Sequence, residues 1–407
     1  MTSRQRLTLT LAGVLGLAAC SEQTPLGPDA SFRTTPPPGG HRGVTVLSRN
    51  LYLGTNIDPV AEAIAVYFAT DPTPTQEELA AAIAPSVSAA WLTVLQTNFV
   101  ARAEALADEI AAARPLMVGL QEATRYTLLS LTNPQLGEVV QFDFLDLLLD
   151  ALAARGLDYR SVVQSSLTDF QLFGIVPDPT IGYQPGQALV RFQDSDAILA
   201  RGDVGTSAAT WAVYSNLAPL GGGFSILRGW TAASARMGGR TFRFVNSHLE
   251  GQGPAGGLLN AAQGQELVTI LASEPLPIVM VGDFNSAANP DAPAGTATPT
   301  YGIVTQAAGF EDAHLLAGGS ATGGKTCCHA GDLSNADPAF DQRIDFVFLR
   351  GFTPAQALGP TIKVDVLGDE AGDRFSAADA LGQPVTLWPS DHAGVLASFV
   401  AGANPVP

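Results

Sequence analysis

The chain has 407 residues, of which 46% are hydrophobic and 14% are charged, and this composition excludes a wholly disordered protein. Lysine and arginine total 21 against 38 aspartate and glutamate, so the formal net charge is -17 at pH 7. A surface this acidic excludes a broad basic face for sequence-independent binding of nucleic acid, although local binding of a phosphate stays open. We therefore expect a folded protein with a large core.

The first residues have the pattern of a bacterial secretory signal. Arg4 and Arg6 precede an apolar run over residues 7–17 that is too short to span a bilayer. The run is followed by Ala-Ala-Cys, ending at Cys20, and it resembles the lipobox of bacterial lipoproteins, in which the cysteine is lipidated and becomes the N-terminus. An ordinary signal peptide with an incidental cysteine is the alternative interpretation.

This start predicts the organisation of the whole chain. Residues 1–19 are expected to be a signal peptide, and residues 20–42 a tether rich in proline and glycine that carries the lipidated cysteine. We expect one domain over residues 43–402 and a short tail over residues 403–407. Such a protein is exported and lipid-anchored in the bacterial cell envelope. Because Ser21 rather than aspartate follows the cysteine, the lipoprotein pattern implies the outer membrane.

The predicted elements alternate irregularly between strands and helices. Strands are predicted from short apolar runs over residues 44–47, 116–120, 188–200, 230–249, 277–281, 344–349, 361–366 and 393–400. Helices are predicted from helical spacing of apolar residues over 76–113, 142–155 and 258–272, and a hairpin turn over 237–240. Strands outnumber helices, so a layered α/β sandwich fits better than a strictly alternating parallel sheet.

Polar residues follow the ends of several predicted strands, where a buried sheet delivers side chains to an open edge. In chain order these segments are Ser48-Arg49-Asn50, Gln121-Glu122, Asn246-Ser247-His248, Gly282-Asp283-Phe284-Asn285, Arg343-Ile344-Asp345 and Ser390-Asp391-His392. Together they resemble the endonuclease/exonuclease/phosphatase superfamily, which includes deoxyribonuclease I, over about residues 43–402. The resemblance implies a four-layer αββα sandwich, with two mostly antiparallel β-sheets packed face to face and helices outside. It also implies a metal-dependent hydrolase of phosphoester bonds.

Oxygen ligands in these segments suit a hard divalent cation. Glu122 offers a carboxylate and Asn50 an amide oxygen, and Mg²⁺ or Mn²⁺ takes such ligands while keeping waters for a substrate phosphate. The resemblance implies that Asp391 adds a ligand to this metal or to a second one. A structural ion pair is the alternative for Glu122, and a capped turn is the alternative for Asn50.

The remaining strand-end residues are expected to carry out the chemistry. Asp283 and Asn285 are two residues apart, so they lie on one side of an extended segment. The resemblance implies that Asp283 activates the attacking water, while Asn285 and His248 donate hydrogen bonds to the phosphate. It also implies that Asp345 accepts a hydrogen bond from His392 and raises the pKa of that imidazole. Whether Asp283 or the His392–Asp345 pair is the general base stays open.

Features outside these segments bear on the substrate and on the thiols. Arg201, at the end of a predicted strand, is expected to reach a substrate phosphate, with a solvated arginine as the alternative. A long insertion over residues 53–100 and extended loops over 286–340 are expected to select the substrate. Neighbouring Cα atoms lie below the usual disulfide range, so Cys327 and Cys328 are interpreted as two buried or paired thiols.

We expect, in sum, an enzyme that hydrolyses a nucleic acid, a phospholipid headgroup ester or an inositol phosphate by in-line attack of an activated water. The membrane is reached through the lipid on Cys20, and no protein partner is predicted. A catalytically inactive surface binding module on the same fold is the alternative, but it predicts a missing strand-end group and none is missing. An α/β esterase is disfavoured, because no Gly-x-Ser-x-Gly sequence occurs at a strand-to-helix turn.

Overall fold

A computed structural model describes residues 43–70, 75–237, 240–251, 256–352 and 362–400. The predicted signal peptide, the tether with Cys20 and the predicted tail lie outside the described residues, as do the two glycines of the predicted hairpin turn.

The described residues contain twenty strands. They are β1 Gly43–Asn50, β2 Met117–Gln121, β3 Arg125–Ser130, β4 Glu138–Asp143, β5 Tyr159–Gln164, β6 Asp169–Asp178, β7 Gln184–Gln193, β8 Ala197–Arg201, β9 Gly205–Val213, β10 Ala218–Gly221, β11 Phe224–Ile226, β12 Gly229–Met237, β13 Arg240–His248, β14 Ile278–Asp283, β15 Glu311–Asp312, β16 Asp345–Arg350, β17 Lys363–Leu367, β18 Phe375–Ala378, β19 Pro384–Leu387 and β20 Gly394–Val400. The helices are α1 Asp58–Thr70, α2 Gln76–Thr97, α3 Phe99–Ala113, α4 Phe144–Ala154, α5 Gly256–Leu271, α6 Thr300–Gly302 and α7 Ala313–Leu316.

Two six-stranded sheets form the centre of the fold. Their strand orders are β17-β20-β1-β2-β8-β5 and β15-β16-β14-β13-β12-β9. Each sheet is antiparallel apart from one parallel pair, β1 with β2 in the first sheet and β13 with β14 in the second. The sheets pack so closely that a Cβ atom on Gly119 of the first would overlap Val281 of the second. Glycine is therefore required where these two strands meet.

Helices cover the outer faces of both sheets, which gives four layers. Between the sheets lies a buried core that includes Val46, Phe244 and Val281. Helices α2, α3 and α4 bury apolar residues against the outer face of the first sheet, and α5 packs Leu267 into the core on the outer face of the second. Burial of these apolar faces is the main favourable contribution to folding. The structure thus confirms the αββα sandwich predicted from the sequence.

The first sheet carries an addition that the sequence did not predict. Strands β4-β3-β7-β6 form a separate four-stranded antiparallel sheet, and α2 packs against β6. The helix predicted over 76–113 is two helices, because the backbone at Asn98 turns left-handed with φ 30°. Among the described residues α2 has the length and hydropathy of a membrane-spanning helix, but its buried residues, Trp91 among them, pack within the protein.

Candidate active site

Strand register brings three of the predicted residues side by side at one edge of the second sheet. His248 ends β13 and is paired in register with Asp283, which ends the parallel strand β14. Asp345 begins β16 and is paired with Asp283 from the other side. These three side chains lie on adjacent strands at the same edge, so hydrogen bonding between strands fixes their relative positions.

The first sheet supplies further predicted residues to the same edge. Asn50 ends β1, Glu122 follows β2, and His392 comes just before β20, which runs antiparallel to β1. Arg49 donates to the carbonyl of His392, and its guanidinium also pairs with buried Glu109 at 2.8 Å. This buried pair anchors the segment that carries Asp391 and His392.

The backbone at the site takes conformations that few residues tolerate. Gly282 has φ +148°, and a Cβ atom there would overlap the carbonyl of Ser247 on the neighbouring strand, so the position requires glycine. Glu122 and Asn285 are left-handed, with φ 58° and 47°. Left-handed backbone at residues other than glycine clusters at functional sites, where the surrounding structure holds it in place.

A cavity of about 810 Å³ opens at this edge. The predicted residues that line it are Glu122, His248, Asp283, Asn285, Asp391 and His392. Asn50 lies behind them, and its Nδ2 donates to Asp283 Oδ2 at 3.2 Å while its Oδ1 accepts from the Tyr52 amide at 2.8 Å. Asn50 therefore orients the Asp283 carboxylate and keeps one lone pair on Oδ1 for another contact.

Whether His392 can act as the general base depends on the charge of its imidazole. Its Nδ1 lies 2.9 Å from Asp345 Oδ2 and 3.8 Å from Asp283 Oδ2. Burial acts to lower the pKa of His392, but the surrounding carboxylates, Asp345 foremost, outweigh it and raise that pKa well above its ordinary value. The imidazole is therefore held as a cation, which suits an acid better than a base.

His248 is held in the opposite state. Arg228 Nη1 lies 3.1 Å from His248 Nδ1, and a guanidinium can only donate, so Nδ1 accepts and the neutral ring carries its proton on Nε2. That Nε2 lies 3.5 Å from Asp283 Oδ2. Burial and the charge of Arg228 lower the pKa of His248 well below its ordinary value. His248 is thus a neutral hydrogen-bond donor at the cavity.

The acidic groups of the cavity fit a divalent cation. Burial, with like charges nearby, raises the pKa of Glu122, Asp283 and Asp391 each to about 7. The carboxylate oxygens of Asp283 and Asp345 lie within 4.8 Å of each other. Asp345 Oδ1 is buried and has no hydrogen-bond partner among the described residues. Clustered carboxylate oxygens are hard donors of the kind that Mg²⁺ or Mn²⁺ prefers.

Arg228 is a site residue that sequence reasoning missed. Its guanidinium contacts His248 and lies 3.7 Å from carboxylate oxygens of both Asp194 and Glu250. No motif surrounds it, but the hairpin of β12 and β13 places Gly229 opposite His248. Pairing the residues of the two strands outward from the predicted turn would have placed Arg228 beside His248.

The expectation for Arg201 is corrected by the structure. β8 runs antiparallel to β2, so Arg201 lies at the start of β2, at the edge opposite the cavity. Its guanidinium pairs with Asp203 at 2.7 Å and donates to the carbonyl of Arg114. The prediction for Arg201 was wrong because the sequence does not show in which direction β8 runs.

Cys327 and Cys328 lie beside the site. The structure pairs the two sulfur atoms in a disulfide. Cys328 Sγ lies 3.8 Å from His392 Nε2, and Cys328 lines the active-site cavity.

The fold and the site together indicate a class of enzyme. A neutral histidine donor, a cationic histidine and clustered carboxylates at the strand ends of an αββα sandwich form an acid–base site of the kind that hydrolyses phosphoesters. Residues 96–392 match the Endonuclease/Exonuclease/phosphatase family, and the chain belongs to that family. The activities in the family's name all hydrolyse phosphoester bonds, which supports the same general reaction for this chain.

Solved structures share the fold at low sequence identity. A family protein from Bacteroides thetaiotaomicron is 15% identical, with a TM-score of 0.50 over 89% of this chain and 98% of that chain. A mannosyl-6-phosphatase from the same organism is 14% identical, with a TM-score of 0.47 over 88% of this chain and 99% of its own. A family protein from Leptotrichia buccalis is 12% identical, with a TM-score of 0.49 over 88% and 99%. The first of these similarities shows the fold alone. No curated protein matches the chain.

Proposed function

We propose that the protein is a divalent-metal-dependent phosphoesterase that is exported and anchored in the outer membrane by a lipid on Cys20. The observation that carries the catalytic part is the contrast between two histidines in one cavity: Arg228 Nη1 lies 3.1 Å from His248 Nδ1, whereas Asp345 Oδ2 lies 2.9 Å from His392 Nδ1. Two titratable groups whose environments move their pKa values apart mark separate roles in catalysis.

Asp283 is the proposed general base. Burial raises its pKa to about 7, close to the pH at which a base works best. The Asn285 amide donates to Oδ1 at 2.9 Å, and Asn50 Nδ2 donates to Oδ2 at 3.2 Å, so both carboxylate oxygens are held in place. In this proposal Oδ2 receives the proton of the attacking water.

The other side chains bind and stabilise the phosphate. His248 donates from Nε2 to an oxygen on which negative charge accumulates, and Asn285, which follows the neighbouring strand β14, adds a second donor. His392, fixed by Asp345, gives a proton to the leaving oxygen. Glu122, with Asn50 and Asp391, would hold Mg²⁺ or Mn²⁺, which when bound neutralises charge on the phosphate.

The catalytic proposal is tested by hydrolysis of bis-p-nitrophenyl phosphate by the purified protein with Mg²⁺ or Mn²⁺. We expect turnover that EDTA abolishes, and a loss of about 10² to 10³ in kcat for His248→Ala. His314→Ala removes a half-buried histidine that does not line the active-site cavity and whose Nε2 lies 3.0 Å from the carbonyl of Ser320, and it serves as the matched control. Substrate binding without turnover in the wild-type protein would instead identify an inactive binding module and overturn the proposal.

The anchor is tested separately from the chemistry. When the full chain is expressed in a bacterium fed labelled palmitate, we expect label on the wild-type protein and none on Cys20→Ser. The wild-type protein should also sediment with outer membranes, because two or more acyl chains anchor stably. Equal labelling of both proteins would contradict the lipid anchor and leave the catalytic proposal intact.

A further inference from the structure

An apolar cavity of about 60 Å³ lies next to the active site. It is lined by residues of α1, α2 and the separate sheet β4-β3-β7-β6, and Ile226 of β11 lies on one side. On a scale where one water needs about 10–15 Å³, the cavity has room for about four to six waters. It is smaller than the roughly 150 Å³ that holds benzene, so its size suits a chain of methylenes better than a ring.

The lining of this apolar cavity offers nothing to a polar guest. Tyr126 donates its hydroxyl to the carbonyl of Leu53 at 3.0 Å, and Trp91 donates Nε1 to the carbonyl of Pro177 at 3.0 Å. Both side chains therefore present ring faces to the cavity, alongside aliphatic groups such as Val87. Water there would lack the two or more polar partners that it needs.

The apolar cavity adjoins the active-site cavity through a shared wall. Thr55, Ile57 and Ile226 line both cavities. The active-site cavity is thus charged on the side of the strand ends and apolar on the side of this wall. Two exposed leucines, Leu217 and Leu258, add to the apolar part of its rim.

We propose that the apolar cavity binds an unbranched alkyl chain of the substrate, so that the substrate is an alkyl phosphoester. This inference rests on the proposed function, because the phosphate would lie among the strand-end residues while the chain passes Ile57 and Ile226. The occupant is part of the substrate itself, since Thr55, Ile57 and Ile226 border both cavities and place the apolar cavity directly beside the active-site cavity.

The proposal makes a quantitative prediction about chain length. A buried methylene contributes about 0.8 kcal/mol, which is about a fourfold change in affinity. Affinity should therefore rise about fourfold with each carbon over the first several carbons and then level off when the cavity is full.

The direct test is calorimetric binding of n-alkyl phosphates, from methyl to decyl, to the full chain. Ala90 lines the apolar cavity, so Ala90→Leu fills it, whereas Ala89→Leu adds the same side chain on the exposed face of the same helix. We expect the chain-length dependence in the wild-type protein and in Ala89→Leu, and a flat dependence in Ala90→Leu. Ala61→Leu fills the cavity from α1 and replaces Ala90→Leu if that variant does not fold.

The same dependence in Ala90→Leu and Ala89→Leu, or none in the wild-type protein, would overturn the alkyl site. A second arm measures kcat/KM on p-nitrophenyl alkyl phosphodiesters. Turnover that does not depend on chain length would support the phosphoesterase and contradict the alkyl site. Binding that depends on chain length without any turnover would support the alkyl site and contradict the phosphoesterase.

A third arm measures binding to phosphatidylglycerol vesicles. Binding to both vesicles and alkyl phosphates would identify a membrane lipid as the substrate, and binding to alkyl phosphates alone would identify a soluble ester. Binding to neither would overturn the alkyl site.

Discussion

The active-site cavity and the apolar cavity beside it are built by different means. The active-site residues lie at strand ends, and register alone places His248, Asp283 and Asp345 next to one another. The apolar cavity lies between α2 and a separate four-stranded sheet, and its lining is set by packing. Catalytic chemistry demands particular residue types, whereas many apolar side chains can line a cavity.

This difference between the two cavities explains how one fold can accept several substrates. The strand ends provide the acid–base groups of this site, and the elements added around them decide what fits beside the phosphate. Here the added elements are α1, α2 and the sheet that contains β6 and β7. We therefore expect substitutions at the strand ends to change rate, and substitutions in the added elements to change substrate preference.

The largest expected effect is on the general base. Asp283→Asn keeps the shape of the side chain and removes its basicity, so kcat should fall by about 10³ to 10⁴. Asp291→Asn makes the same change at an exposed aspartate that pairs with Lys325, and it should retain wild-type activity. Steady-state kinetics on both variants provide the measurement, and an Asp283→Asn enzyme within tenfold of wild type would remove Asp283 from the base role.

The next largest effect is on the free energy of unfolding, which pH and a bound cation should both change through the buried carboxylates. The pKa of Glu122, Asp283 and Asp391 is about 7 in the folded protein, against about 4 when unfolded. The folded state therefore holds more protons between about pH 4 and 7, and the contribution of these groups to the free energy of unfolding decreases as pH rises through that window. A bound cation should restore about 2.7 kcal/mol at a hundred times its Kd.

Urea unfolding from pH 4 to 8, with EDTA or with Mg²⁺, measures this link. Glu122→Gln removes one of the titrating groups, so the EDTA curve of that variant should decline less steeply than the wild-type curve. Superimposable wild-type and variant curves would show that burial of Glu122 does not raise its pKa.

A smaller effect is expected at Arg228, which acts through His248. Arg228→Met removes a positive charge that lowers the pKa of both Asp283 and His248, so the acidic limb of the pH–rate profile, which the Asp283 base sets, should move to higher pH. We expect kcat to fall about tenfold as the imidazole loses the partner that fixes its tautomer. Arg243→Met, at the opposite end of the second sheet, is the control. An unchanged acidic limb would mean that Arg228 only packs beside the site.

The smallest effect is expected at Arg201. Arg201→Ala breaks an ion pair with Asp203, which is exposed, and such pairs contribute less than about 1 kcal/mol. Activity should stay within twofold of wild type, because the side chain lies at the edge opposite the cavity. A tenfold rise in KM would indicate that Arg201 contacts the substrate and would contradict the direction of β8.

The sequence predicted the layered fold and most strand ends of the site. Apolar runs such as that before Asp283 mark buried strands clearly, and the polar residues that follow them are uncommon in a core. The same reasoning missed β6, whose sequence contains Asp169, Gly174 and Pro177 and lacks a clean alternation. It missed Arg228 because a single arginine carries no pattern, and it misplaced Arg201 because strand direction depends on long-range pairing.

The apolar cavity could not be predicted from the sequence in any form. Val87 and Trp91 occur at helical spacing and predict only that α2 has a buried face. Whether two packed faces fill the space between them depends on side-chain volumes across several elements, and the sequence does not show which elements meet.

The central claim is that the strand-end carboxylates hold a divalent cation that the hydrolysis of phosphoesters requires. The most direct measurement is calorimetric titration of Mn²⁺ into the wild-type protein and Glu122→Gln, with turnover of bis-p-nitrophenyl phosphate followed in the same samples. Glu62→Gln, at an exposed residue of α1, is the matched control. We predict that the wild-type protein and Glu62→Gln bind Mn²⁺ and turn over substrate, and that Glu122→Gln loses both. Full wild-type turnover in EDTA, or a Glu122→Gln protein that binds Mn²⁺ and turns over substrate as wild type does, would contradict the claim.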